Sequence, residues 1–159
     1  MINDLQTSHA TEQDLQPGFL IRRLHQIHLA LFAEECAAFN ITPVQYNILA
    51  VVARQPGLDQ SHIGEEVGVD RATIANVVAR LEAAKLLKRN VGRTDRRQKL
   101  LSITARGRAL LSKLDEPVTH AHERTVAGLA PKQRDQFIRL LADLVDAGND
   151  FGRAKLRLK

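Results

Sequence analysis

Arginine and lysine crowd the middle of this chain. Twelve of them stand between Asp70 and Lys113 against three acids, giving that stretch a net charge of +9 while the remainder carries −4. So segregated an excess suits a polyanion, although a solvated basic face is the plain alternative. Two groups separate within it. Arg71, Thr73, Asn76 and Arg80 recur at helical intervals. Thr73 and Asn76 are short polar side chains of the kind that read base edges, and Arg71 and Arg80 could reach guanine or phosphate. Arg93, Arg96 and Arg97 crowd a short tip after Gly92, and arginine is the side chain best suited to a narrow, negative minor groove. Chemistry of other kinds finds less support. There is no Gly-rich phosphate loop, nucleophile elbow or metal-binding helix motif, and Glu34-Glu35 and Glu65-Glu66 are adjacent pairs that diverge on a helix. No enzyme and no cofactor is expected.

These side chains need elements to hold them. Pro17-Gly18 opens a helical pattern with Leu20, Leu24, Ile27 and Leu31 on one stripe. Thr42-Pro43 reads as an N-cap with proline in the first turn, and the helix it starts runs to about Arg54. Asp59 caps a short helix ending near Val67, Gly68 supplies the turn, and Asp70 opens a fourth helix with Ile74, Val77 and Leu81 inward. That order, a short helix, a glycine turn and a second helix, is a helix-turn-helix. Leu87–Val91 and Lys99–Ile103 lean towards β structure and bracket the basic tip as a hairpin, though Leu100-Leu101 blurs the alternation. Thr104 caps a fifth helix with Leu110, Leu111, Leu114 and Val118 inward and a bend expected at Pro117. Gly128 to Pro131 breaks the chain before a last amphipathic helix carrying Phe137, Leu141 and Leu144.

The 159 residues, 44% apolar and 26% charged, suffice for one compact domain or two small interlocked layers and argue against disorder throughout. No apolar run approaches the ~20 residues that span a bilayer, and the polar leader, residues 1–16, lacks the features of a secretory signal. A cytoplasmic protein is expected. With one cysteine, Cys36, there is no internal disulfide or multi-cysteine zinc site. Five Phe, one Tyr and no Trp speak against a stacking platform for single strands.

From Thr42 to Gly107 the chain resembles the winged helix-turn-helix core of the MarR family of bacterial transcriptional regulators. The resemblance rests on Asp59-Gln60-Ser61-His62-Ile63-Gly64, on Asp70-Arg71-Ala72-Thr73-Ile74-Ala75, on Arg80-Leu81-Glu82-Ala83 and above all on the wing segment running from Asp95-Arg96-Arg97 to Ala105-Arg106-Gly107. It continues more loosely through Gly128-Leu129 and the last helix. It implies a mainly α fold of six helices and a β-hairpin wing. Residues 42–104 would form the winged DNA-binding region, and 17–41 with 105–159 a helical dimerisation layer. It also implies a homodimer on double-stranded DNA, with Ser61 and the recognition-helix residues at the duplex. Arg97 would enter the minor groove and Asp95 orient the wing. Lys85 departs from the pattern, standing where the family usually has glycine; a left-handed backbone there would cost roughly 1 kcal/mol.

Family members commonly release DNA when a small organic acid binds where the dimer layer meets the winged domain. Near that junction the sequence offers Arg22, Arg23, His25, His28, Phe32 and Tyr46, which together supply an apolar slot and polar anchors for a phenol or carboxylate. The adjacent arginines would also suit the phosphates of a coenzyme A thioester. Other readings stay open: a regulator or a structural DNA-binding protein without an effector, a peroxide-responsive Cys36, or zinc held by His25 and His28 with Glu123 or His122. Against the thiol sensor, Glu34-Glu35 opposes thiolate formation, and Cys36 reads as a buried structural residue. Against zinc, ordinary surface histidines suffice, and His120 and His122 diverge on a helix.

Overall fold

The computed structural model describes residues 16–92 and 99–152. Six α-helices and one two-stranded antiparallel sheet follow the order α1 (Pro17–Glu35), α2 (Pro43–Arg54), α3 (Gln60–Val67), α4 (Arg71–Ala83), β1 (Leu87–Val91), β2 (Lys99–Ile103), α5 (Ala105–Thr125) and α6 (Pro131–Ala147). Short 3₁₀ turns at Ala37–Phe39 and Asn149–Phe151 are additions that no local signal announced.

Caps set most of these boundaries. Thr42, Asp59, Asp70 and Thr104 each accept a backbone N–H three residues on, satisfying a donor that the first helical turn leaves orphaned. Gln45 completes a capping box with Thr42. Gly68 ends α3 at φ 73°, a left-handed conformation that glycine enters without steric cost. Gly64 lets α3 lie close to the following turn, since a Cβ there would stand 3.3 Å from the Val69 carbonyl oxygen. Lys85 is also left-handed, at φ 60°, and Thr104 Oγ1 donates to its carbonyl at 2.8 Å. Lys85→Gly should therefore raise stability in urea unfolding by about 0.5 kcal/mol, the relieved strain less glycine's extra entropy. A loss instead would mean that the lysine side chain holds the link.

Two apolar clusters result. The larger joins Ile48, Leu49 and Val52 of α2 to Ile63, Ile74, Val78, Leu81, Leu87, Leu101 and Ile103. Val78, rather than Val77, is the fully buried member of α4, because the face turned to α2 runs through Ile74, Val78 and Leu81. β1 pairs with β2 from Leu87↔Ile103 to Val91↔Lys99. The blurred alternation at Leu100-Leu101 has its cause on the other edge of β2. There the Leu101 N–H donates to the Leu58 carbonyl at 2.9 Å, and Leu100 bridges Asp59, so the strand is flanked on both sides.

The smaller cluster packs Phe32 of α1 and Cys36 at its C-cap against Leu114, Val118 and Ala121 of α5, which continues as one helix through Pro117. The apolar stripe of α1 is not the face that packs into this cluster. Leu20 and Ile27 are 47% and 48% exposed, and the inward face is instead His28, Phe32 and Cys36. α6 likewise buries none of its residues, with Leu144 67% exposed. Among the described residues no helix is long and apolar enough to cross a membrane.

Candidate nucleic-acid interface and adjoining cavity

One face of α4 is left bare. Ala72, Asn76, Ala79 and Ala83, at i, i+4, i+7 and i+11, are exposed opposite the buried Ile74, Val78 and Leu81. Small side chains let a helix axis approach a groove floor closely, and Arg71 and Arg80, both exposed, flank the strip. Thr73 is half-buried; its hydroxyl donates to Asp70 Oδ2 at 3.0 Å and its N–H to Oδ1 at 2.8 Å. Ser61 is exposed in the first turn of α3. On the hairpin Lys88, near its base, and Lys99, towards its tip, are exposed. Arg89 is tethered, to Glu82 at 3.2 Å and Gln60 at 3.3 Å, tying β1 to α3 and α4. Arg93, Asp95, Arg96 and Arg97 lie outside the described residues.

The second set of residues divides. His28, Phe32 and Tyr46 form an edge-to-face series, with centroids 6.3 Å apart for the first pair and 6.4 Å for the second. Burial, then the charge of Asp115, pushes the Tyr46 phenol up, so it stays neutral. His25 and His28 line an open cavity of about 420 Å³, walled also by His122 and Thr125 of α5, by Val126 at its C-cap and by Phe137, Ile138 and Leu141 of α6. Neither arginine lines it: Arg22 lies over the Phe19 ring at 5.4 Å, and Arg23 donates to Gln26 at 3.2 Å beside a neighbouring apolar recess. His122, Thr125 and the α6 residues were not legible as site members. His122 stacks on His28 with centroids 4.9 Å apart, an encounter across the fold that no local pattern encodes. His120 diverges as expected, pairing with Glu35 at 2.9 Å.

The MarR family pattern matches residues 39–98. A regulatory protein for the hcr operon of Thauera aromatica is 34% identical over 80% of this chain and 77% of its own length. The chain belongs to the MarR family. Among solved structures it is similar to BpsR of Bordetella bronchiseptica, whose DNA binding is regulated by 6-hydroxynicotinic acid (29% identity, TM-score 0.81, covering 86% of this chain and 97% of that one). It is also similar to the transcriptional repressor CouR bound to a 23-mer DNA duplex (27% identity, TM-score 0.79, 84% and 95%). The fold is the winged helix-turn-helix of MarR regulators, with α3 and α4 as its motif helices and β1–β2 as the base of its wing.

Two features bear on how this MarR protein could sense its surroundings. Cys36 is buried, and that burial, reinforced by Glu35, pushes its thiol up and away from the reactive thiolate. Hydrogen bonds from His120 and then Arg124 hold Glu35 below the usual carboxylate range, strapping the end of α1 to α5. Among the described residues no group of three or more His, Cys, Asp and Glu is placed to hold a metal ion.

Proposed function

We propose that this chain acts as a homodimeric repressor that releases its operator when a small aromatic acid, or its coenzyme A thioester, fills the cavity at His28. The carrying observation is the bare strip of α4, small residues flanked by Arg71 and Arg80, set in a winged domain whose middle is strongly basic. The DNA-bound CouR structure and the 6-hydroxynicotinic acid dependence of BpsR support both halves of the reading. On it, Asn76, Arg71 and Arg80 reach base edges and phosphates, Ser61 touches the backbone, and Arg97 enters the minor groove with Asp95 orienting the wing. The protein works in the cytoplasm, where its DNA is. A twofold dimer matches a pseudo-palindrome with half-sites about one helical turn, ~10 bp, apart.

The dimer reading rests on α6. Ile138, Leu141 and Leu144, with Leu20, Ile21 and Ile27 of α1, are exposed apolar side chains that a second copy would cover. Leu144→Asp with Ile138→Asp should halve the mass found by light scattering and weaken operator binding at least about tenfold, because half-sites are then held singly. An unchanged mass would remove these helices from the interface.

Release is driven by differential affinity: the ligand must bind a form whose recognition helices no longer match the operator more tightly than the form that does. Duplexes selected from a random library give the operator; titration with aromatic acids and their thioesters, read as loss of bound duplex, tests release. Operator affinity unmoved by every compound would leave a regulator without an effector.

A further inference from the structure

The floor of the cavity carries a hydrogen-bond chain that fixes which end of His28 holds its proton. Thr125 Oγ1 lies 2.8 Å from the Ala121 carbonyl oxygen. Two oxygens that close require a proton between them, and only the hydroxyl has one, so Thr125 donates to Ala121. The same hydroxyl oxygen lies 2.9 Å from His28 Nδ1 and must there be the acceptor. Neutral His28 therefore carries its proton on Nδ1 and leaves Nε2 as a bare acceptor. Among the described residues, neither that nitrogen nor the ring of His122 has a hydrogen-bond partner.

A carboxylate is an acceptor only: it cannot bond to a bare Nε2, and in the neutral pair it would find no more than the single N–H of His122. We propose that an acid bound in this cavity brings one proton with it, taken up by the stacked His28–His122 pair, so that ligand binding is coupled to pH. The inference rests on the reading that an organic acid occupies the cavity. In the step a solvent proton, or the ligand's own acidic proton, forms an N–H bond on one imidazole. The carboxylate then accepts from the imidazolium, and no other bond changes. Uptake stops near one because the rings lie 4.9 Å apart and a second positive charge would meet the first.

Within the lining described, imidazoles are the groups whose charge can change. α1 contributes His25 and α5 contributes His122; α6 offers only the apolar Phe137, Ile138 and Leu141. α2 reaches the pair through Phe32, behind which Tyr46 stays neutral. No carboxylate or guanidinium is among the lining residues described. Burial first, then the charges of His122 and His25, holds His28 below its ordinary value, so in the empty cavity His28 is neutral near pH 7.5.

The test uses the full chain with benzoate and 6-hydroxynicotinate as probes. Calorimetric titration in phosphate and in Tris at about pH 7.5 should give an uptake close to one proton per site, with Kd rising about tenfold per pH unit above neutrality. Long-range ¹H–¹⁵N spectra of the free protein should show the Nδ1–H tautomer at His28. In His28→Asn the amide can still donate to Thr125 but cannot titrate, and uptake should fall by more than half. Binding without uptake, the Nε2–H tautomer, or unchanged uptake in the variant would each overturn the inference and leave the acid-binding reading standing. If neither acid binds, that reading falls and the inference with it. The spectra and the wild-type titration decide the matter even if the variant fails to fold.

Discussion

Gly107→Ala should lower the unfolding free energy by about 3 kcal/mol, at the upper end of what overpacking a core costs. A Cβ at Gly107 would stand 2.3 Å from the Leu86 carbonyl oxygen and 2.7 Å from Ile103 Cγ1. Neither neighbour can yield cheaply. The Leu86 carbonyl accepts the Thr104 N–H at 3.1 Å and shares the single hydroxyl proton of Thr104 with the Lys85 carbonyl, and so fixes the cap of α5 to the link between α4 and the hairpin. Ile103 is a buried member of the winged-domain core. The added methyl must therefore push α5 away from the hairpin base or break the cap. Urea unfolding with a matched Gly128→Ala control checks this, since a Cβ at Gly128 meets nothing within 4 Å. Equal midpoints for the two variants would show that α5 shifts without cost.

Arg71→Ala combined with Arg80→Ala should weaken operator binding by about a hundredfold or more with the fold intact, each arginine accounting for about 1–3 kcal/mol. Both side chains are exposed beside the bare strip of α4, so little folded-state packing is lost. The salt dependence discriminates: each phosphate contact removed should flatten the plot of log K against log salt by about 0.9. Arg89→Ala is the informative contrast. Its guanidinium is held by Glu82 and Gln60, so its loss should loosen β1 against α3 and α4 while leaving the salt slope nearly unchanged. A double variant that binds as well as the parent would take α4 out of the groove and leave the wing as the reader.

What the sequence determined by itself was local. Thr42, Asp59, Asp70 and Thr104 announce helix starts because a capping oxygen and the N–H it satisfies lie within one turn of each other. The boundaries of both strands, and the left-handed turn at Gly68, were legible for the same reason. The left-handed Lys85 was anticipated through the family pattern, which places a glycine there. The basic middle needed only counting. Apolar stripes were legible as stripes, but not as to what they face: those of α1 and α6 satisfy helical periodicity and yet lie largely uncovered within the chain. Periodicity records that a face is apolar and is silent on whether the cover comes from the same molecule. The cavity was the least legible part. His28 and Thr125 are 97 positions apart, and their bond, the stacking of His122 and the walls from α6 exist only once three helices pack. Composition suggested arginines as polar anchors, whereas packing left them outside and put paired imidazoles on the floor. A charged guanidinium keeps its hydration at the surface, while a neutral imidazole can be half-buried once a hydrogen bond to Thr125 satisfies its Nδ1–H.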